Sequence, residues 1–317
     1  MQKHLLTLAK LIVSLALIAW VLKGIDTAEV TVKLSQARWT WLALTMAFFV
    51  VVLMLGTARW QLVLRGLGVP LGIGTTLRFF LIGMFFNQTL PSSIGGDATR
   101  VFYLWRAGTD AQTALNSVLL DRILGLSILV IVTTLVAPTL LANLNSPLAA
   151  KGLVLVLAGS WTAIVMLFLF DNPYTRRFQH LRLIDFAVTL SRDAVDICRQ
   201  RAVIAPAVLI SVAIHGATIA IAWCLDRALG GAGIILVYVI AVTPTILLIS
   251  IPVSIAGWGV REQIMVVLLG AFGIGAAHAV SVSILFGILL LIGGIPGGLL
   301  WLTMRRAQAK SAAPEID

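Results

Sequence analysis

Charge is scarce in this chain, and where it occurs inside apolar stretches it comes in close pairs. Charged residues are 11% of 317, against 60% hydrophobic ones. Asp97 and Arg100 stand one helical turn apart, Asp121 and Arg122 are neighbours, and so are Arg261 and Glu262. A planar guanidinium matches phosphate oxygens, so Arg100 and Arg261 are candidates to bind a phosphate-bearing group. Asp97 would share a helix face with Arg100 and pair with it, or carry a proton; Glu262 could do the same beside Arg261. A purely structural ion pair, or a plain loop charge at Arg261, is the competing reading. Neighbours on a helix point apart, so Asp121 and Arg122 should find different partners.

Small and neutral polar residues surround these charges. Gly95 and Gly96 precede Asp97, and Gly257 and Gly259 precede Arg261. Glycine lets backbone turn sharply or approach a ligand, and free N–H groups at a helix start favour anions; tight helix packing is the alternative use. Asn87, with Gln88 and Thr89, would either line a polar cavity or cap broken helix ends. His215 lies within an apolar run, where a hydrogen bond to a neighbouring helix is a plainer role than a proton relay.

Two of these groups repeat. Residues 90–100 read Leu-Pro-Ser-Ser-Ile-Gly-Gly-Asp-Ala-Thr-Arg, and residues 251–261 read Ile-Pro-Val-Ser-Ile-Ala-Gly-Trp-Gly-Val-Arg. Pro, Ser, Ile, Gly and Arg coincide at a spacing of 161 positions. Broken apolar segments at matching places in two halves point to a substrate pathway in transporters.

The elements that position these residues follow from hydropathy. A mean hydropathy of +1.03 and runs of about 20 apolar residues make this an integral helical membrane protein and exclude a β-barrel, which reads as short alternating strands. The runs are 5–22, 41–63, 123–141, 152–170, 203–225 and 280–304. Trp39, Trp41, Trp60, Trp223 and Trp301 lie near their ends, where interfacial anchors belong. Run 5–22 is followed by Lys23 with no small-residue cleavage site, so it reads as a retained span. Cys198 and Cys224 lie in no metal or redox spacing, so neither a metal nor a disulfide is expected. The net charge of +10 belongs to cytoplasmic loops and anionic lipid rather than to nucleic acid.

Orientation comes from two loops. Residues 59–78 carry Arg59, Arg65 and Arg78 without an acid, and 171–201 carry Arg176, Arg177, Arg182, Arg192, Arg199 and Arg201. Both read as cytoplasmic, as does the tail with Arg305, Arg306 and Lys310. Two spans lie between the loops, so 79–116 must cross an even number of times. Asp97, Arg100, Arg106 and Asp110 disfavour two crossings, which leaves a re-entrant hairpin at about 79–100. Non-helical backbone at that depth must line protein or a watery cavity.

At the same spacing, 41–63 maps onto 202–224, 72–100 onto 233–261 and 117–142 onto 278–303. The expected fold is an all-α polytopic membrane protein of 6–8 transmembrane helices, with one or two re-entrant hairpins in an inverted-topology repeat. It forms a single membrane domain, 1–317. Unit one is 5–142; unit two is 151–304, with its hairpin at about 233–261, though parity alone leaves 233–277 open between a hairpin and two spans. A cytoplasmic amphipathic linker, 171–201, would bury Leu181, Ile184, Phe186, Val188 and Val195, and 305–317 would be a disordered cytoplasmic tail. The chain is expected in the inner membrane, multi-pass, with both termini cytoplasmic.

Three motifs carry a resemblance: Asn87-x-x-Leu90-Pro91-x-x-x-Gly95-Gly96-Asp97-x-x-Arg100, Leu119-Leu120-Asp121-Arg122-x-x-Gly125, and Pro252-x-x-x-x-Gly257-x-Gly259-Val260-Arg261-Glu262. With Ile295-Pro296-Gly297-Gly298 they resemble the lysylphosphatidylglycerol synthetase/flippase transmembrane family. The resemblance implies an inner-membrane protein that moves or presents phospholipid-like or polyprenyl lipids. Ser92 and Ser93 depart from the family's commoner Pro-Gly-Gly, and no room is expected for the soluble aminoacyltransferase domain of larger relatives.

The function expected is therefore a lipid transporter or flippase, not an enzyme, working without a cofactor. Its partners would be membrane lipids with anionic headgroups, with a homo-oligomer or a lipid-modifying enzyme also open, and the two halves would rock to alternate access. No GxxxxGK[ST] motif is present, so movement would be passive, ion-coupled through Asp97 and Glu262, or driven by a partner. A membrane-embedded transferase on lipid-linked substrates and an ion-coupled small-solute transporter are the rival readings; the first lacks a DDxxD-like cluster and an HExxH.

Overall fold

Backbone that crosses lipid must satisfy its own hydrogen bonds, so helices are what this composition dictates. The computed structural model describes residues 27–89, 95–250 and 257–311, and the regular structure within them is helical. In chain order the helices are α1 (Thr27–Ser35), α2 (Trp39–Gly66), α3 (Ile73–Thr89), α4 (Gly95–Arg106), α5 (Ala111–Asn143), α6 (Pro147–Leu169), α7 (Pro173–Arg176), α8 (Arg182–Arg199), α9 (Arg201–Ala228), α10 (Ile235–Ile249), α11 (Val260–Gly270) and α12 (Ala276–Ser311). Expected span 5–22, the two turns around Pro91 and Pro252, and residues 312–317 lie outside the described residues.

Five of these helices, α2, α5, α6, α9 and the part of α12 up to Met304, are long and apolar enough to cross a membrane. They coincide with the runs at 41–63, 123–141, 152–170, 203–225 and 280–304. Between them sit shorter helices: α3 has 17 residues, α4 12, α10 15 and α11 11. The long-short-short-long order thus occurs twice. α12 continues as helix past 304, where a disordered tail was expected, because Ala, Arg, Gln and Lys are good helix formers.

Local chemistry sets the boundaries. Asp110 caps α5 by accepting the Thr113 N–H at 2.9 Å, and Ser146 caps α6 with Pro147 at its first position, a place where proline costs no hydrogen bond. Gly259 starts α11 at φ +81°, a conformation that glycine adopts without strain.

Glycines also bring helices together. A Cβ on Gly297 of α12 would fall on the Leu81 carbonyl of α3, and one on Gly293 would fall on the Phe49 ring of α2. Small residues allow this close approach between helices, and it gives the Ile295–Gly298 motif a packing role. α2 packs along α9, α3 along α12 and α5 beside α10. α6 lies at the edge and buries only Leu153 and Leu157. α8 is amphipathic, as expected of the linker. Its inward apolar residues are Val188, Ala194 and Ile197, at helical spacing, whereas Leu181 is exposed.

Two expectations change. Arg59, Arg65 and Arg78 are not loop charges; the first two belong to α2 and the third to α3, and Arg65 and Arg78 are the exposed ones. Trp60 is not an interfacial anchor. It is fully buried, because its ring carries the guanidinium of Arg100 at 4.0 Å.

Candidate functional site

Asp121 of α5 is the hub of a buried ion cluster. One carboxylate oxygen accepts Nε–H of Arg59 at 2.8 Å and the other accepts Nη2–H of Arg100 at 2.9 Å. Two charge-assisted hydrogen bonds offset the cost of burying that carboxylate. Arg122 turns the other way and pairs closely with Asp97, so the neighbours do find different partners. Asp97 also lies 3.7 Å from Nη1 of Arg100; that pair forms, but it is secondary to Asp121.

Five helices hold this cluster. Arg59 comes from α2 and donates its Nη1–H to Ser211 Oγ of α9 at 3.2 Å. Arg100 comes from α4 and lies between the rings of Trp60 and Phe80, 4.0 and 5.2 Å from their centroids. Its Nε–H is buried without a partner among the described residues. Glycines make the room: a Cβ on Gly83 would stand 2.9 Å from Arg100 Cγ, and one on Gly125 would stand 2.6 Å from Arg59 Nη1.

The start of α4 is held by Asn87, whose Oδ1 accepts the Gly96 N–H at 2.9 Å. Gly83 and Asn87 of α3 both approach Gly96 of α4, so the two helices meet backbone against backbone there. Gly95 accepts the Thr99 hydroxyl at 2.8 Å. Nε2 of His215 lies 2.9 Å from the Gly125 carbonyl; a carbonyl only accepts, so that nitrogen carries the hydrogen.

The cluster opens into a cavity of about 250 Å³, lined by Arg59, Asn87, Asp97, Arg100, Asp121 and Arg122 together with His215 of α9 and Ile246 of α10. Among the described residues, three guanidinium groups and two carboxylates line it, an excess of one positive charge. Such a cavity can accept one anionic group, with arginine geometry suited to phosphate oxygens.

Arg261, Glu262, Gly257 and Gly259 are elsewhere, in a second, closed cluster. Glu262 accepts Nη2–H of Arg261 at 2.8 Å, the Ser283 hydroxyl at 2.9 Å and the Gly259 N–H at 2.6 Å. Nε of Arg261 donates to Ser283 Oγ at 3.0 Å, and its guanidinium faces Trp258 and Phe286 at 4.9 and 5.8 Å. Arg261 and Glu262 are both buried, and Nη1 of Arg261 has no partner among the described residues. The Gly257 carbonyl accepts the Arg261 N–H at 2.8 Å, with Gly257 itself at φ +81°.

The structure thus gathers seven of the expected residues, Asn87, Gly95, Gly96, Asp97, Arg100, Asp121 and Arg122, at one site. It leaves the other four in their own cluster. Arg59, Trp60, Gly83 and Ser283 were missed. Arg59 carried a signal: an ionisable residue inside an apolar helix marks function by default.

A family model described as the lysylphosphatidylglycerol synthase transmembrane region matches residues 7–298. The UPF0104 membrane protein of Pyrococcus horikoshii is 23% identical over 332 aligned positions, which cover 93% of this chain and 96% of that relative.

Proposed function

Because the chain belongs to the lysylphosphatidylglycerol synthase transmembrane-region family, we propose that it is a lipid transporter carrying an anionic or phosphate-bearing lipid across the inner membrane. The observation that carries this reading is the cavity of about 250 Å³ whose described wall holds Arg59, Arg100 and Arg122 together with Asp97 and Asp121. Ionisable residues held within apolar helices mark substrate pathways. An anion that enters meets an excess of positive charge along the described wall.

In this reading α3–α4 and α10–α11 are re-entrant hairpins of an inverted repeat, with both termini cytoplasmic. Arg100 serves the cytoplasmic side. Arg261 serves the other, with Glu262 holding its guanidinium until a phosphate replaces it. Asp97 and Glu262 are the groups that would carry protons if transport is ion-coupled. The chain performs no catalytic step of its own, and a lipid-modifying enzyme would supply or consume the lipid.

The test is transfer of headgroup-labelled phosphatidylglycerol between leaflets of proteoliposomes. Arg100→Ala and Arg261→Ala should each lower the rate roughly tenfold or more, the effect of about 1.4 kcal/mol of lost binding. Both should still elute as folded protein, since Asp121 keeps Arg59 in the first variant and Glu262 keeps Ser283 and Gly259 in the second. Full activity in both would remove the phosphate role. No lipid transfer by wild type, with uptake of a soluble anion, would favour a small-solute transporter.

A further inference from the structure

Going round α5 from Asp121, three openings follow one another. Asp121, Gly125 and Leu126 face the polar cavity. Ile123, Leu126 and Val130 face a cleft of about 270 Å³ towards α6. Leu120, Ile123 and Leu124 face a second cleft of about 210 Å³, which Ile197 of α8 helps to close at one end. Leu126 is common to the first two openings and Ile123 to the last two, while Ile164 and Leu167 of α6 line both clefts. At about 100° per residue these faces succeed one another round the helix, so the polar cavity and the clefts are neighbours, parted by the side chains of Leu126 and Ile123.

The clefts suit hydrocarbon. The Ser160 hydroxyl donates to its own helix, at Val156 O, 2.7 Å away, and the Trp161 indole donates to Thr134 Oγ1 at 3.0 Å. A polar ligand there would lose its water without replacement hydrogen bonds. At the rim, Ile131, Trp161 and Phe168 are exposed, so the opening is reachable from lipid. From Leu120 to Ile131 it runs about 16 Å along α5. A cation-rich cavity sharing a wall with a dry apolar slot fits an amphiphile better than a soluble anion, which would use only the cavity.

We propose that the α5–α6 cleft holds an acyl chain of the lipid whose headgroup occupies the polar cavity, with the lipid entering sideways past Leu126. This rests on the transport reading above. α6 is the wall it passes, and that helix buries only Leu153 and Leu157.

The experiment places the full chain in phosphatidylcholine vesicles doped with phosphatidylglycerol that carries a photoreactive diazirine on its acyl chain. Adducts on residues 123–131 and 160–168 should exceed those at Leu209 and Leu299, exposed on other helices, by roughly tenfold, the ratio set by a preference of about 1.4 kcal/mol. Ala163→Trp, which fills the cleft, should abolish that excess and slow transfer. Val165→Trp, at an exposed position of the same helix, should change neither. Even labelling at Leu209, Leu299 and the cleft would mean ordinary boundary lipid and overturn the proposal. So would equal cleft labelling by a phosphatidylcholine probe, which would cut the link to the anionic headgroup. Failure of the transport reading looks different: adducts stay concentrated in the cleft while Arg100→Ala transfers lipid like wild type.

Discussion

Asp121 holds two guanidinium groups at once, so its loss should cost more than the loss of either. Asp121→Asn leaves Arg59 and Arg100 buried beside each other without their shared counter-charge, which costs about 3–5 kcal/mol. Arg100→Ala leaves one good pair intact and should cost less. Thermal unfolding in detergent checks the order; equal shifts would contradict the shared role. Gly125→Ala works on the same cluster by crowding, since its Cβ would stand 2.6 Å from Arg59 Nη1. Transport should fall sharply for a stability loss of about 1–3 kcal/mol, and unchanged transfer would show that the placement of Arg59 does not matter. At this scale the sequence was legible where charge interrupts apolar runs. Asp97, Arg100, Asp121 and Arg122 announced themselves, and so did the separate partners of the last two. Arg59 was misread because its acid lies 62 residues on, a distance over which periodicity carries no information.

Helices, not loops, decide how those side chains meet. A Cβ on Gly96 would overlap the Gly83 carbonyl, and backbone cannot yield as a side chain can. Gly96→Ala should therefore separate α3 from α4, lower the melting temperature and release Arg100 from Asp121, while the neighbouring exposed Ala98→Gly should retain transport. On α7, Arg176 grips Asp171 through two hydrogen bonds at 2.7 and 2.9 Å, and Arg192 of α8 approaches the same carboxylate at 3.5 Å. The hydrogen bond from Arg176 holds the Asp171 carboxyl below the usual carboxylate range. A depressed group contributes its stability above its unfolded value and loses it as pH falls through the folded one. The tie is solvent-exposed, so its contribution is small. At neutral pH, amide exchange over 170–182 should be faster in Asp171→Asn than in wild type, and acidification should erase the difference. The amphipathic character of α8 was legible from spacing. Its inward face was legible in part: Val188 is buried as expected, whereas Ala194 and Ile197 were not foreseen, because burial depends on which neighbours it meets, here α5, α6 and α9.

For the whole molecule, the five described spans were legible from hydropathy, since lipid leaves helix as the available solution. The inverted arrangement has its own test. In a background free of Cys198 and Cys224, Ser93→Cys should react with an impermeant thiol reagent from the cytoplasmic side and Ser254→Cys from the opposite side; reaction of both from one side would refute the inversion. What hydropathy could not show is that the halves interlock, α2 lying along α9 and α3 along α12. Rocking of the two halves would have to part or carry these contacts. The Gly297 contact on Leu81 is made by backbone on both sides. Side chains can change rotamer and let two helices slip; carbonyls cannot. Close backbone seating of this kind resists sliding, which casts α3 and α12 as an axle. In the transport reading, a stroke that keeps this seam closed is made by the helices mounted around it.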